Sequence, residues 1–279
     1  MTIATHTVLD KLVEGVREDI ASDRRSRSEA DVKSMAKDAP PTVSFAGALR
    51  RPDSGEDADG GLMRVIAEVK QASPSQGQIA ESFEPGEIAK AYEEGGAAAV
   101  SVLTERRRFL GEMVHLEQVR AAVALPVLRK EFIFTEYQIQ EARAGGADAI
   151  LLIAAILETA QMEDLRALAE ELDMDALVEV YAEEELGRAL AAGTRVLGVN
   201  NRNLKTFEVD TGHTSRVFGR LTPEQREALV LVSESGIFGW EEVSPLVDEG
   251  VDAILVGEAL MRAPDTGELL RELRGLKRE

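Results

Sequence analysis

Along this chain, short apolar runs alternate with stretches whose apolar residues recur every three or four positions, and from Val65 onward the alternation is regular. Aliphatic or β-branched runs fall at Val65–Lys70, Ala98–Leu103, Pro126–Lys130, Ala149–Ile153, Ala176–Val180, Val196–Asn200, Leu229–Ser233 and Ala253–Val256. Helical patterns such as Thr159–Leu172 and Glu183–Ala192 lie between them. Several end in glycine (Gly95-Gly96, Gly145-Gly146, Gly193, Gly250), the residue suited to a left-handed helix C-terminus. Strands apolar enough for burial on both faces, alternating with helices, predict a parallel sheet. Eight such units predict an α/β fold of the (β/α)₈, or TIM, barrel type. An open doubly wound sheet is the alternative, but no Gly-x-Gly-x-x-Gly follows the first strand. Gly-Ala-Asp-Ala-Ile-Leu (146–151) and Gly-Val-Asp-Ala-Ile-Leu (250–255) echo one another, which reads as a repeated barrel unit rather than a site.

The first sixty residues follow a different rhythm. Leu9, Leu12, Val13, Val16 and Ile20 give Val8–Ser22 one apolar helical face. A charged stretch follows (Asp23–Asp38), then Ala39-Pro40-Pro41, then a short Phe45–Leu49 segment. Arg51–Gly61 is polar and Gly-rich and reads as a mobile connector. Residues 1–60 are thus expected to form a helical N-terminal extension and connector within the same domain as a barrel spanning 61–279.

A length of 279 residues suits one such barrel, and 44% hydrophobic content excludes a disordered chain. Without cysteine there are no disulfides, thiolate metal sites or thiol nucleophiles. Met1–Ala21 lacks a signal peptide's apolar core, and the longest apolar run, Ala149–Leu157, is too short to span a bilayer. A soluble cytoplasmic protein is expected. The 32 basic and 51 acidic residues give a net charge of −19, which repels nucleic acid and anionic membrane. A small anionic substrate remains compatible if local Lys, Arg and backbone N–H groups face it.

Barrel enzymes project their functional groups from the C-terminal ends of strands, and polar residues interrupt these strands there. Glu68 and Lys70, two apart, share one strand face, while Val65, Ala67 and Val69 form an apolar opposite face. Both are placed in the barrel mouth, with a structural ion pair as the alternative. Lys130 is a second lysine for the mouth, with Arg129 and Glu131 alternating away from it. Glu179 interrupts the fifth strand and needs cationic partners to be buried. The sixth ends Asn200-Asn201-Arg202-Asn203, where Arg202 can clamp a carboxylate or belong to an Asn-rich turn. The seventh ends Ser233-Glu234-Ser235-Gly236 and the eighth Val256-Gly257-Glu258. Backbone N–H groups of Gly236, Gly257 and Glu258 fit the phosphate site common in barrels, with the Glu258 side chain turned away. The polar loop Gln71–Glu84 reads as a lid, with Ser73 able to contact phosphate or to shape the turn beside Pro74. His115 and His213 read as surface residues, His6 as part of a tail and Trp240 as packing. Arg106–Arg108 reads as a solvated loop leading to Phe109 at the mouth.

Four motifs together resemble the indole-3-glycerol-phosphate synthase family of tryptophan biosynthesis: Ile66-Ala67-Glu68-Val69-Lys70-Gln71-Ala72-Ser73-Pro74-Ser75, Pro126-Val127-Leu128-Arg129-Lys130-Glu131-Phe132, Gly198-Val199-Asn200-Asn201-Arg202-Asn203-Leu204, and Ser233-Glu234-Ser235-Gly236-Ile237. The resemblance runs from Val8 to Leu273. It implies a carboxy-lyase that closes, decarboxylates and dehydrates 1-(2-carboxyphenylamino)-1-deoxyribulose 5-phosphate. By resemblance Lys130 is the general acid of ring closure, and Lys70, Glu179 and Glu68 share the dehydration. Asn200, counted with the catalytic set, and Arg202 hold carboxylate or hydroxyls; Glu234 and Ser235 support them. Phe109, Phe132 and Leu151 flank the aromatic ring. No metal or organic cofactor is implied. The partner is a small phosphorylated substrate; the chain reads as a monomer, with other tryptophan-pathway enzymes open as partners.

Efficient acid catalysis would call for a lysine with its pKa lowered by burial and by Lys and Arg neighbours. Departures from the family pattern stand at Glu131 (usually Asp), at Tyr181 (commonly His) and in the Phe109-Leu110-Gly111-Glu112 loop. A phosphoribosylanthranilate isomerase, which usually pairs Cys with Asp, does not fit a chain without cysteine, and a catalytically silent barrel would not need the acid–base set.

Overall fold

The apolar runs become β1 (Arg64–Val69), β2 (Ala99–Leu103), β3 (Val127–Lys130), β4 (Ala149–Ile153), β5 (Asp175–Val180), β6 (Val196–Asn200), β7 (Val230–Glu234) and β8 (Ala253–Val256) in the computed structural model, which describes residues 2–5, 7–52, 55–73, 77–79, 83–203 and 208–276. All are parallel, and β1 pairs with both β2 and β8, so the sheet closes into a barrel and the open-sheet alternative falls. Three helices precede β1: α1 (Val8–Ser26), α2 (Glu29–Asp38) and α3 (Phe45–Leu49). Between and after the strands come α4 (Pro85–Glu94), α5 (Met113–Ala122), α6 (Glu136–Ala144), α7 (Thr159–Glu171), α8 (Glu183–Ala191), α9 (His213–Phe218), α10 (Pro223–Ala228), α11 (Trp240–Asp248), α12 (Glu258–Arg262) and α13 (Thr266–Leu273). A short ribbon of Ala72–Ser73 with Gly77–Gln78 rises after β1. Residues 74–76 and 80–82 of the expected lid, Leu204 and His6 lie outside the described residues.

The repeated hexapeptide has a mechanical explanation. Gly146 and Gly250 leave their helices at φ 87° and 76°, a conformation that costs a residue with a Cβ. Two residues later comes an aspartate at the N-terminal end of the barrel. Asp148 accepts from the backbone N–H of Val127, where β3 starts, and from Val43. Asp252 accepts in the same way from Leu231 of β7 and from Arg51. Asp175 adds a bond from Ala46. Three carboxylates thus tie residues 43–51 across the bottom of the barrel, where Phe45 and Leu49 are fully buried.

Two readings of the N-terminal sequence change. The charged Asp23–Asp38 stretch carries the last turn of α1 and then α2, which starts at a Ser28–Asp31 capping box and packs on α6. Its apolar face is small, Val32 and Ala36 being its buried residues, and so has little periodic signal. The described residues of Arg51–Gly61 do not form a free connector; residues 53–54 lie outside the described residues. Asp57 accepts from the N–H groups of Gly61 and Asp59 and pairs with Arg64 and Arg274 at 3.1 and 2.9 Å. The Arg51 guanidinium bonds the carbonyls of Val247 and Val251.

Removing a buried acceptor orphans the donors it served, at about 1–3 kcal/mol. Asp252→Ala is therefore expected to destabilise the fold by about 1–3 kcal/mol in chemical denaturation, and Asp252→Asn by less, since its amide oxygen still accepts one bond.

Candidate active site

Alternation along β1 turns Glu68 and Lys70 into the barrel mouth, and β3 delivers Lys130 from the side. The Lys70 ammonium lies 2.7 Å from Glu68 Oε1 and the Lys130 ammonium 2.9 Å from Oε2, so each carboxylate oxygen has its own cation. Burial alone would raise the pKa of Glu68; Lys130 and Lys70 reverse that and hold it down at about 2. Tyr92 of α4 donates to the Glu68 carbonyl from behind at 3.2 Å. Lys130 differs from expectation. Burial pulls its pKa down, but Glu68, Glu234 and Glu179 converge on it and leave it raised. Acidic side chains, Glu68 at 2.9 Å foremost, rather than a crowd of cations, surround this lysine, so it stays an ammonium.

Across the mouth, Glu179 on β5 is buried and its pKa is raised, first by burial; Lys130 and a hydrogen bond from Asn200 oppose the rise. Asn200 Oδ1 accepts the backbone N–H of Arg202 at 2.9 Å, which aims the amide nitrogen at Glu179. Asn201 faces the other way. It bonds Ser233, Thr214 and the Ser235 carbonyl and serves as structure. Glu234 is completely buried and sits behind the cleft wall, with the Lys130 ammonium 3.7 Å away. Burial and the nearby Glu179 push its pKa up to about 8.

Phe109, Phe132 and Leu151 line the cleft, as do Ser73, Arg202, Ser235, Gly236, Gly257 and Glu258. Ser235 and Gly236 take φ 69° and 77°, the left-handed pair that turns the chain after β7. Gly257 begins α12, and a Cβ there would meet Glu68 Oε1 at 2.3 Å and Lys70 Nζ at 3.0 Å. The Glu258 side chain does not turn away; it lies 3.9 Å from Arg202 and 3.7 Å from Arg262.

The cleft also has a wall that the strand pattern did not reveal, formed by Val8, Leu9 and Leu12 of α1. Arg106 and Arg107, read as solvated, fasten that helix to the β2–α5 loop through Asp23 at 2.9 Å, Glu18 at 2.8 Å and Asp19 at 2.7 Å. In the same loop the buried Glu105 carboxylate accepts from the N–H groups of Arg107, Arg108 and Phe109. Among the described residues no group of three or more His, Cys, Asp or Glu is placed to hold a metal ion.

With this geometry in hand, comparison with known proteins is specific. The family model described as indole-3-glycerol phosphate synthase matches residues 9–273. The chain belongs to the indole-3-glycerol phosphate synthase family. It is 47% identical over 271 residues to the indole-3-glycerol phosphate synthase of Mycolicibacterium smegmatis, covering 97% of this chain and 95% of that one. The enzyme of the same name from Rhodococcus jostii is 46% identical over 267 residues, covering 96% and 94%. Among solved structures, a thiamine phosphate pyrophosphorylase from Pyrococcus furiosus superposes with a TM-score of 0.56 at 18% identity over 77% of this chain and 94% of that one. A tryptophan synthase α-subunit variant from the same organism gives 0.55 at 16% identity, over 78% and 99%. These two likenesses establish the barrel alone. The family is one of carboxy-lyases of tryptophan biosynthesis acting on a small phosphorylated substrate.

Arg129, the departures Glu131 and Tyr181, and the remaining candidate residues have local roles. Arg129 turns outward to Glu141 at 2.8 Å and to the Gln138 carbonyl of α6. Glu131 does not simply follow it. Its carboxylate is buried, lines the cleft, and accepts from Phe132 N–H and the Thr104 hydroxyl. Tyr181 stacks on His213, ring centres 4.5 Å apart, and its carbonyl lies 2.6 Å from His213 Nε2. His115 accepts from the N–H of Glu112 and packs edge-on against Phe83. Both histidines, read as surface residues, are half-buried structural contacts. Trp240 starts α11 and packs against the core.

Burial, only partly offset by Arg129, pushes the Glu131 pKa up to about 7 from an ordinary 4.5. The folded chain then holds a proton that the unfolded chain loses above pH 4.5, so this group's contribution to stability falls as pH rises through that window. Glu131→Gln is expected to flatten the decline in unfolding free energy from chemical denaturation between about pH 4.5 and about pH 7, by on the order of 1–3 kcal/mol.

Proposed function

We propose that the chain converts 1-(2-carboxyphenylamino)-1-deoxyribulose 5-phosphate to indole-3-glycerol phosphate, releasing carbon dioxide and water. The observation that carries the reading is one buried carboxylate, Glu68, held between the ammonium groups of Lys70 and Lys130 with Glu179 opposite. In ring closure the aromatic carbon bearing the carboxylate attacks the ketone carbon, and negative charge develops on the ketone oxygen. Lys130, kept charged by its carboxylate neighbours, stabilises that oxygen and donates the proton. Loss of carbon dioxide returns the bonding pair to the ring and restores its aromaticity. Dehydration then needs an acid for the departing hydroxyl and a base for the adjacent proton. Lys70 and Glu179 supply them, with Glu68 fixing the lysines.

Phe109, Phe132 and Leu151 flank the aromatic ring. Asn200 and Arg202 hold its carboxylate or the sugar hydroxyls, with Ser235 and Glu234 supporting them. The phosphate meets the backbone N–H groups of Gly236, Gly257 and Glu258 and the Ser73 hydroxyl, a cradle supported by the turn geometry after β7 and β8. Residues 1–60 fold with the barrel as one domain, a reading supported by the burial of Leu9, Phe45 and Leu49 in the same hydrophobic core. The protein acts as a monomer in the cytoplasm, consistent with a reducing compartment for a chain without cysteine.

The test is turnover of that substrate by the purified chain without added cofactor, followed by indole fluorescence. Lys130→Ala and Glu179→Gln are each expected to lower kcat by more than about 10²-fold without unfolding the protein. Near-normal turnover in either variant removes the role assigned to that residue.

A further inference from the structure

Glu234 presents a problem of charge. Both carboxylate oxygens are buried, and neither has a hydrogen-bond donor. A buried, ionised, unpartnered carboxylate is among the most costly groups a fold can hold. The nearest cation, Lys130, lies 3.7 Å away and already bonds Glu68 at 2.9 Å. What does lie within hydrogen-bond reach is a second carboxyl, that of Glu179. The register explains the approach. Glu179 pairs with Gly198 on β6, and a Cβ on Gly198 would stand 2.3 Å from Glu234 Oε1. The absent side chain leaves the space through which Glu234 reaches across.

Two carboxyls in contact are stable only with a proton between them. Asn200 donates to Glu179 and favours its ionised form, whereas nothing donates to Glu234. We propose that Glu234 is a neutral carboxylic acid in the working enzyme and donates its proton as a hydrogen bond to Glu179, acting as a positioning residue that holds Glu179 ionised and correctly aimed. This rests on the functional reading above and adds to it the protonation state of one group. The other charged groups acting on Glu234 are Lys130 from β3 and Glu68 from β1. Above the Glu234 pKa of about 8, the pair carries two negative charges and Glu179 is displaced.

The direct test is infrared difference spectroscopy of the whole ligand-free chain, titrated from acid to alkaline pH. A protonated carboxyl C=O band is expected to disappear near pH 8 in the wild type and to be absent from Glu234→Gln; Glu131 contributes a second titrating band that remains in the variant. In kinetics, Glu234→Gln keeps a neutral donor. Its kcat is expected to lie at least about tenfold above that of Glu234→Ala, and its pH profile to lose an alkaline limb that the wild type shows. A band titrating near pH 8 that persists in Glu234→Gln beside the Glu131 band, or a variant with the wild-type alkaline limb, overturns the proposal. The infrared arm needs no substrate, so a chain that turns over nothing would sink the functional reading while this result still stands or falls by itself.

Discussion

Glu68 is an ionised carboxylate that is 2% exposed, and such a charge is stable only where both oxygens meet well-placed donors or cations. Lys70 and Lys130 meet the need from two strands, and the requirement then propagates. With Glu68 ionised and Lys130 charged, two further acidic side chains, Glu179 and Glu234, act on Lys130 from the other strands. The positions opposite these groups must give up volume. Gly257 on the β8 side lies where a Cβ would strike Glu68, and Gly198 on β6 lies where one would strike Glu234. Glu68 and Glu234 therefore each occupy the space of a side chain missing from a neighbouring element, and these two glycines are as much part of the charge arrangement as the lysines.

The two ends of the barrel handle acidic residues by opposite means. At the N-terminal end, Asp148 and Asp252 each accept backbone N–H groups from a strand start and from the N-terminal segment. Those donors are fixed by the fold, and the cation beside Asp148, Arg120 at 2.7 Å, does not titrate in a protein. At the mouth the donors are ammonium groups, and protons can move. The same residue class thus gives rigidity at one end and acid–base chemistry at the other, depending on which donor faces it.

How much of this could be read from the sequence follows from the range of each interaction. Strand alternation is local, so the inward face of Glu68 and Lys70, and the place of Lys130 and Glu179 in apolar strands, were legible. The direction of the Lys130 pKa was not, because it depends on carboxylates from β1, β5 and β7 meeting at one point. The α1 wall escaped for another reason. Leu9 and Leu12 give the same helical periodicity whether that face meets a core or a cleft. Arg51–Gly61 was misread because polar and Gly-rich composition describes both a loose linker and a loop pinned by buried charges, and Asp57 makes it the latter.

A net charge of −19 opposes an anionic substrate at long range, and the resolution lies in distance. Salt screens exposed surface charges beyond roughly 8–10 Å, so the cleft answers to its own lining. Among the described lining residues, Lys70, Lys130 and Arg202 face the carboxyls of Glu68, Glu105, Glu131, Glu179 and Glu258. Five acids against three bases would leave an unfavourable field for phosphate if every acid were free and ionised. Glu105 is engaged by three backbone N–H groups, Glu258 lies near two arginines, and Glu131 holds its proton up to about pH 7. What remains is a lining in which the lysines and Arg202 are matched by acidic partners, and whose tolerance of an anion declines as Glu131 ionises. Substrate affinity and the ionisation of groups that never touch the substrate are then linked through the same few ångströms of low-dielectric interior.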